Sequence, residues 1–438
     1  MATRIVKKEG GKLTIEVDMD LKGSMLTQEE AIQVALNEAG KLATLAALEN
    51  FDTDGKPITV RGKRLTNKGA KKKVVSTPYG KINWSRHVYQ SSSGGRIYCP
   101  ADISGRLVKK STPRLAKLLQ EDYADLPARR VIKRFEDHHQ VSYSKDLVRD
   151  LHNHLSDHLK EVEERWSYQT APVDVLKKVA TVSISRDGAM AHMLDGKESS
   201  PKRVAGWREC MCGVICLYNA ELECIHTTYV GVGPQKDKPA FTYQLTREVD
   251  KLKQELNAIA VQPTYVGVAD GAASNWTQLE AITDRQVTDY FHVSERLGKV
   301  ATTLKGGKAQ QQKWLKEQKG FLLDQPEGAD LVIAAVEDLL EADQIKSSDK
   351  RSVIQENLTY LRNQRPRMNY YQLRQDKLPI GSGPVEAGCK TLIKGRLGGS
   401  GMRWLITGAD DMLISRSHVL SDGRFDQYWQ KRMQYGTN

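Results

Sequence analysis

Cysteine and long apolar runs are the two features that this sequence has least of. Only six of the 438 residues are Cys, too few in a chain of this length for a disulfide framework, so we expect free thiols in a reducing compartment. No window approaches 18 apolar residues, and the N-terminal residues are not followed by the apolar stretch of a signal peptide. The sequence therefore predicts a cytoplasmic protein with no membrane partner.

Length and composition exclude a second group of protein classes. Apolar residues make up 39% and charged residues 27% of the chain, which fits neither a wholly disordered protein nor a coiled-coil rod. At roughly 150 residues per domain, the length predicts about three domains.

Acidic residues are absent from the segment between Gly55 and Ala101, although the whole chain carries a formal net charge of only +12. Such a segment repels itself unless an anion lies nearby, so nucleic acid is the first candidate partner. The residues that we assign to DNA binding here are Lys63, Arg64, Lys71, Lys72, Lys73, Lys81 and Arg86.

Aromatic residues are interleaved with these cations at Tyr79, Trp84, Tyr89 and Tyr98, and the alternation from Lys81 to Tyr89 predicts a strand. Two interpretations remain open. The segment forms either a basic sheet with exposed aromatics that grips phosphates, or a solvated basic loop and a hairpin whose aromatics are its core.

The regions on either side of this segment have helical spacing. Residues Thr27–Glu30 resemble a capping box that opens an amphipathic helix. Residues Val131–Leu151 resemble two helices joined by a tight turn, which is either a DNA-reading helix-turn-helix or an ordinary helical hairpin. We expect a helical segment at 1–60, a β-rich segment at 61–110 and a helical segment at 111–170.

From Val175 onward the order of predicted elements becomes informative. Three strands are followed by a helix, a strand, a helix and a further strand. Their predicted ranges are Lys178–Gly188, Glu209–Leu217, Leu222–Val230, Tyr243–Ala258, Thr264–Gly271, Asn275–Ile282 and Gln286–Phe291. This is the order of the RNase H-like fold, an α/β fold with a mixed five-stranded sheet. We expect its first part at 175–294, an all-α insertion at 295–378 and its final helices at 379–438.

Two carboxylates end two of these predicted strands. Asp187 and Asp270 are each followed by Gly, and in this fold the first and fourth strands lie side by side, so both carboxylates could share a cation. An Asp-Gly pair by itself is usually only a turn.

A third carboxylate, Glu386, follows a Gly-Ser-Gly-Pro sequence that predicts a helix start. Glu386 either completes a metal site, with Lys390 and Lys394 holding DNA phosphates beside it, or forms an ordinary i,i+4 salt bridge. The buried stripe of this helix is predicted to comprise Val385, Cys389, Leu392 and Ile393.

Four segments together resemble the DDE transposases of bacterial insertion sequences: 184–188, 268–272 with Trp276, 289–292 and 378–386. The similarity continues through 394–404, which resembles the ISKra-type family in particular. The resemblance implies that Asp187, Asp270 and Glu386 form the acidic triad, with Asp289 and His292 beside it. It also implies a bacterial, nucleoid-associated transposase acting on insertion-sequence ends and target DNA.

Phosphodiester cleavage explains why such a triad is needed. Two Mg²⁺ ions about 4 Å apart, or Mn²⁺ in their place, can activate an oxygen nucleophile and stabilise the leaving oxygen. We expect Asp187 to bridge them, water to nick the DNA, and the freed 3′-hydroxyl to attack target DNA. Lys390, Lys394, Arg396, Arg403 and Trp404 are predicted to bind the double-stranded DNA, on which the protein forms a homodimer or larger assembly.

Two other functions were compatible with the sequence. One is an RNase H-like nuclease or resolvase that does not join strands, and the other is a domesticated DNA-binding regulator. Zinc binding by Cys210, Cys212, Cys216 and Cys224 is disfavoured because their spacing fits small core residues better. His154 and His158, spaced i,i+4, have no supporting ligand motif.

Overall fold

The computed structural model describes residues 3–195, 204–234, 238–341, 345 and 347–436. The chain divides into two compact units: residues 1–166 with 426–438, and residues 167–425. The sequence placed 379–438 in one core segment, whereas the last residues belong to the N-terminal unit.

The first unit begins with an antiparallel hairpin of β1 (Thr3–Glu9) and β2 (Lys12–Val17), followed by helix α1 (Met25–Glu49). The hairpin was not predicted, so the first 60 residues are not purely helical. The capping box was also placed too late. Ser24 is the N-cap, and its hydroxyl accepts a hydrogen bond from the Thr27 amide at 3.3 Å.

A four-stranded antiparallel sheet follows in the order β3-β4-β5-β6. Its strands are Ile58–Val60, Lys63–Thr77, Gly80–Ser91 and Gly94–Tyr98. The predicted strand from Lys81 to Tyr89 is confirmed within β5. Trp84 and Tyr89 are fully buried, while Tyr79 is exposed. The two central aromatics are therefore core residues rather than a stacking surface.

Four helices complete this part of the first unit: α2 (Pro100–Ser104), α3 (Pro113–Asp125), α4 (Ala128–His139) and α5 (Lys145–Val162). The predicted pair of helices is confirmed as α4 and α5, and Gln140 ends α4 in the left-handed conformation. The exposed face of α5 carries Lys145 and Arg149 beside Asp146 and Asp150. This mixed face is not the basic surface with which a DNA-recognition helix binds phosphates.

The second unit is built on a mixed sheet with the order β11-β10-β7-β8-β9, in which β12 also pairs with β7. The strands are β7 (Thr181–Asp195), β8 (Val204–Tyr218), β9 (Cys224–Val232), β10 (Thr264–Ala269), β11 (Arg285–Thr288) and β12 (Trp404–Leu405). Helix α6 (Val173–Leu176) precedes the first strand, and α7 (Lys238–Ala258) and α8 (Ala273–Ile282) lie among the first five strands in the chain. The five predicted strands are confirmed, and β12 adds a sixth.

Two strand ends differ from the prediction. The first strand does not stop at Asp187-Gly188, because the β7–β8 ladder continues without interruption from Thr181 paired with Tyr218 to Asp195 paired with Val204. Asp187 is therefore a mid-strand residue. The last predicted strand stops earlier, at Thr288, because Asp289 caps helix α9 (Tyr290–Thr303) with its side chain.

Helices fill the rest of the second unit. The insertion consists of α10 (Lys308–Asp324), α11 (Gly328–Glu341), α12 (Ser348–Gln364), a 3₁₀ turn (Arg365–Arg367) and α13 (Tyr370–Gln375). The final helices are α14 (Gly383–Gly388), a wide π-helical turn (Cys389–Lys394), α15 (Gly395–Leu397), α16 (Ile406–Leu420) and α17 (Arg424–Tyr435), which crosses the boundary between the units.

Different helices pack against the central sheet of the second unit. Ile184 on β7 and Leu217 on β8 are buried in one cluster with Phe241 and Leu245 of α7. Helix α14 and the π-helical turn lie against β7 and β8, and the predicted stripe Val385, Cys389, Leu392 and Ile393 is buried as expected. Among the described residues, no helix is sufficiently long and apolar to cross a membrane.

Candidate active site

Asp187 and Asp270 lie at the same level of two neighbouring strands. Strands β7 and β10 are parallel, and the last of their paired residues are Ser185 and Val268. Each Asp lies two residues beyond that pair. The prediction that the first and fourth strands are adjacent is thus confirmed, and the charge of Asp270 acts on the carboxyl group of Asp187.

The Asp187 carboxylate is held from two directions. One oxygen accepts a hydrogen bond from the Gly188 amide at 2.7 Å, and the other lies 3.6 Å from the Cys389 thiol. Burial raises the pKa of Asp187 above its ordinary value, and the charge of Asp270 raises it further. A cation between the two carboxylates would relieve both effects.

Asp270 lies in the turn that follows β10. One of its carboxylate oxygens accepts hydrogen bonds from the Ala272 amide at 3.1 Å and from the Asn275 side-chain amide at 2.9 Å. Gly271 has a φ of +97°, which a residue with a Cβ atom rarely adopts. The glycine therefore turns the chain sharply after the carboxylate, and Asn275 at the start of α8 orients it.

The helical insertion fixes the backbone of this turn. On α12, the Tyr360 hydroxyl donates to the Asp270 carbonyl oxygen at 2.8 Å, and the Gln364 amide donates to the Gly271 carbonyl oxygen at 3.0 Å. Gln364 in turn accepts a hydrogen bond from the Thr288 hydroxyl at 3.1 Å. The insertion thus connects the Asp270 turn to the end of β11.

Glu386 is placed near Asp187 by close packing of its helix on the sheet. A Cβ atom at Gly388 would lie 2.7 Å from the Val214 side chain and 3.1 Å from the Cys212 sulfur, so only glycine permits this approach. Cys389, three residues after Glu386, is the residue that contacts Asp187. The helix bearing the third acid therefore lies on the Asp187 side of the sheet.

The Glu386 carboxylate itself pairs with Lys390 at 2.7 Å, and its side chain is 53% exposed. The hydrogen bond and charge of Lys390 lower the pKa of Glu386. Of the two interpretations of Glu386, the structure therefore contains the i,i+4 salt bridge with Lys390. In this arrangement the Glu386 carboxylate is engaged by Lys390.

Asp289 anchors the start of the Glu386 helix. It is only 1% exposed, accepts a hydrogen bond from the Phe291 amide at 2.8 Å, and accepts another from the Ser382 hydroxyl. His292 lies 3.8 Å from Asp289, and its charge acts on both Asp187 and Glu386. The structure therefore links Asp289 to the start of the Glu386 helix and places His292 next to Asp289.

The carboxylates of this site are the ligand type that divalent ions require. Among the described residues, no cluster of three or more His, Cys, Asp or Glu side chains is arranged to hold a metal, and Glu386 pairs with Lys390. Asp187 and Asp270 nevertheless offer the hard carboxylate oxygens that Mg²⁺ and Mn²⁺ prefer, and their mutual repulsion favours a bound cation. Asp187 and Asp270 are therefore suited to bind such an ion, and Glu386 would supply the third carboxylate.

The cations predicted to bind DNA near this site fall into two groups. Lys390, Lys394 and Arg403 are exposed. Arg396 is only 3% exposed and lies over the ring of Trp404 at 4.7 Å. This corrects the prediction for Arg396, because a buried guanidinium stacked on an indole supports the chain turn rather than meeting phosphate.

Only some of the cations that were predicted to bind DNA on the sheet of the first unit are exposed. Lys63, Arg64, Lys71, Lys72 and Lys81 are exposed on β4 and β5.

In contrast, Lys73 and Arg86 both pair with Asp102, at 2.8 and 3.0 Å. These two residues hold α2 against the sheet and are not available to DNA in this arrangement.

No protein-family model matches this chain, and no curated protein matches it either. Function is therefore inferred from the geometry of the site.

Several residues at the site were not predicted from the sequence. Arg186, next to Asp187 in β7, is buried on the opposite face of the sheet, stacks on Phe241 at 5.1 Å and donates to Gln278. The contact of Asn275 with Asp270 could have been predicted from the local sequence, since an amide in the first turn after Asp270 is well placed to bind it. The contacts of Tyr360 and Gln364 could not, because these residues are about 90 positions away from the turn in the sequence.

The cysteines and histidines weighed as metal ligands differ in their surroundings. Cys210, Cys212 and Cys216 are buried core residues, although Cys224 is exposed. His158 is buried, and one of its ring nitrogens is hydrogen-bonded to the Tyr428 hydroxyl at 3.1 Å.

Proposed function

We propose that this protein is a metal-dependent DNA transposase with an RNase H-like catalytic core. The observation that supports the proposal is that Asp187 of β7 and Asp270, in the turn after β10, each lie two residues beyond the last pair of these adjacent parallel strands, with the Glu386 helix in contact with Asp187 through Cys389. This arrangement supports an active site in which the three acids, far apart in the sequence, act together.

Asp187, Asp270 and Glu386 would hold two Mg²⁺ or Mn²⁺ ions. When bound, these ions supply activation of an oxygen nucleophile and stabilisation of the leaving oxygen of a phosphodiester. Asn275 and the Gly188 amide orient the two Asp carboxylates. Asp289 and Ser382 fix the start of the helix from which Glu386 reaches them.

Lys390 has two roles in this proposal. While it pairs with Glu386, it keeps the third carboxylate away from the site. When Glu386 turns toward Asp187, the Lys390 ammonium group becomes free to bind a DNA phosphate, together with the exposed Lys394 and Arg403. DNA and metal binding would then assist each other.

The helical insertion favours a transposase over a simple nuclease. A nuclease or resolvase of this fold was expected to lack a large insertion, whereas α10–α13 form a core with buried residues such as Leu322, Val336 and Leu358. The insertion also contacts the Asp270 turn directly. A regulator without catalysis was expected to have lost one of the acids, and all three are present.

Strand transfer distinguishes these functions. A labelled duplex prepared from the DNA that flanks the gene would be incubated with the full chain, Mg²⁺ or Mn²⁺, and an unlabelled target plasmid. A transposase joins the label to the plasmid in a reaction that requires a free 3′-hydroxyl. Cleavage products without joined products would support a nuclease instead, and the absence of both would contradict the proposal.

A further inference from the structure

Arg432 on α17 is a buried cation that pairs with no carboxylate of the described residues. Its side chain is 1% exposed, and among the described residues its Nε and one terminal nitrogen have no hydrogen-bond partner. The other terminal nitrogen makes only a long contact of 3.5 Å to the Tyr428 hydroxyl. Leaving a buried guanidinium unpaired is costly, so such a group is a strong sign of a missing anion.

Arg432 lines a small cationic pocket within the first unit. The pocket has a volume of about 180 Å³. Its charged lining residues are Lys73, Asp102, Arg106, Lys109 and Arg432. Asp102 already pairs with Lys73 and Arg86, so it leaves Arg106, Lys109 and Arg432 without a neutralising charge in the pocket.

The backbone at the pocket is held in an unusual conformation. Arg106 and Lys109 have positive φ values of 53° and 57°, which non-glycine residues adopt rarely. Arg106 is further fixed by hydrogen bonds from its guanidinium to the carbonyl oxygens of Met433 and Gln434, at 3.0 and 3.1 Å. Arg106 and Lys109 thus line the same pocket as Arg432.

The neighbouring histidines respond to this excess of positive charge. Burial lowers the pKa of His158 to about 3, and Arg432 lowers it further. Burial also lowers the pKa of His154, with additional contributions from Arg432 and Lys109. The region therefore contains an uncompensated positive field rather than a concealed ion pair.

We propose that this pocket is a binding site for a phosphate oxyanion, held by Arg432, Arg106 and Lys109. A tetrahedral phosphate offers several acceptor oxygens to convergent guanidinium and ammonium donors. The phosphate comes either from a DNA backbone or from a free anion. This inference is independent of the acidic site in the second unit, and it stands whether or not that site cleaves DNA.

The first test is inorganic phosphate binding by the full chain, measured by calorimetry and by the phosphate dependence of the unfolding temperature. Arg432→Met should bind phosphate about tenfold or more weakly, since it removes the most buried donor. It should unfold at the same or a higher temperature than the parent without phosphate, because an unpaired buried charge is removed.

A second pair of variants tests the proposal independently in case Arg432→Met does not fold. Lys109→Gln changes an exposed residue of the pocket and should weaken phosphate binding by about threefold to tenfold. Lys110→Gln changes its exposed neighbour, which does not line the pocket, and should bind as the parent does. Equal phosphate effects in the parent and in Lys109→Gln would overturn the proposal, because they would reflect general salt stabilisation.

Duplex DNA distinguishes the two sources of the phosphate. If the pocket binds a backbone phosphate, free phosphate competes with DNA, and Lys109→Gln weakens DNA binding while Lys110→Gln does so less. If it binds a free anion, both variants bind DNA equally, and only the phosphate titration changes. Absence of any phosphate binding by the parent, with DNA binding equal in both variants, would contradict the proposal.

Discussion

The hydroxyl group of Tyr360 donates a hydrogen bond to the main-chain carbonyl oxygen of Asp270 over a distance of 2.8 Å. Tyr360 belongs to the helical insertion and Asp270 to the sheet. Its neighbour Gln364 binds the next carbonyl in the same way. The insertion therefore determines the backbone position of one of the three acids.

Removal of this hydroxyl tests that connection. Tyr360→Phe should lower the free energy of unfolding by about 1 kcal/mol, the usual net value of one hydrogen bond. It should also slow DNA cleavage, because the Asp270 carboxylate is less well positioned. Tyr371→Phe, a half-buried Tyr of the same insertion, is the matched control. Equal cleavage by both variants would show that the insertion does not position Asp270.

The raised pKa of Asp187 predicts a stability effect with a definite sign. The buried carboxyl group is more stable protonated, so its contribution to stability is fully present below its ordinary pKa and is lost as the pH rises through the raised value. Without divalent ions, Asp187→Asn should therefore unfold at a higher temperature than the parent at neutral pH. The difference should shrink as the pH falls toward the acid range.

With divalent ions present, the parent should instead unfold at a higher temperature than Asp187→Asn. Mg²⁺ or Mn²⁺ should stabilise the parent by binding only its folded state, and should have little effect on Asp187→Asn. Asp250→Asn, an exposed Asp on α7 of the same unit, should follow the parent in every condition. A parent that is more stable than Asp187→Asn at neutral pH without metal would contradict the role of buried charge.

The Lys390–Glu386 ion pair is predicted to oppose metal binding. Lys390→Gln should bind Mn²⁺ more tightly in the absence of DNA, by up to about fivefold, since an exposed pair contributes roughly 0.2–1 kcal/mol. Its cleavage of DNA should fall, because a phosphate ligand is lost. Lys394→Gln should lower DNA binding without the gain in Mn²⁺ affinity. Calorimetric titration of both variants with Mn²⁺ checks this, and equal affinities would count against the role of the pair.

Lys72 and Lys73 are adjacent in the sequence but should behave differently. Lys72 is exposed, so Lys72→Ala should weaken DNA binding and reduce the slope of log affinity against log salt concentration by about 1. Lys73 pairs with Asp102, so Lys73→Ala should mainly lower the unfolding temperature. Salt titrations of DNA affinity measure the first effect. Loss of DNA affinity only in Lys73→Ala would contradict the assignment of the exposed face.

The order of elements was sufficient to predict the sheet of the second unit. Alternating β-branched runs indicated β7–β11, and the adjacency of β7 and β10 followed from that order. The end of β7 was predicted wrongly, because Asp187-Gly188 reads locally as a turn. Pairing with β8 overrides this signal, since the ladder continues to Asp195.

Long-range contacts account for most of what was missed at the site. Asp289 was read as a strand residue because its local pattern is apolar, whereas its capping of α9 and its bond with Ser382 depend on tertiary packing. The pairing of Lys73 and Arg86 with Asp102 likewise joins separate elements. A basic segment read alone therefore overstated the number of cations available to DNA.

The most direct test of the catalytic proposal is the rate of divalent-dependent DNA cleavage by Asp270→Asn compared with Asp250→Asn. Both substitutions remove one Asp charge from the second unit, but only Asp270 lies beside Asp187. The account predicts that Asp270→Asn loses cleavage by about 100-fold or more, while Asp250→Asn cleaves at the parent rate. Cleavage by Asp270→Asn at the parent rate would contradict it.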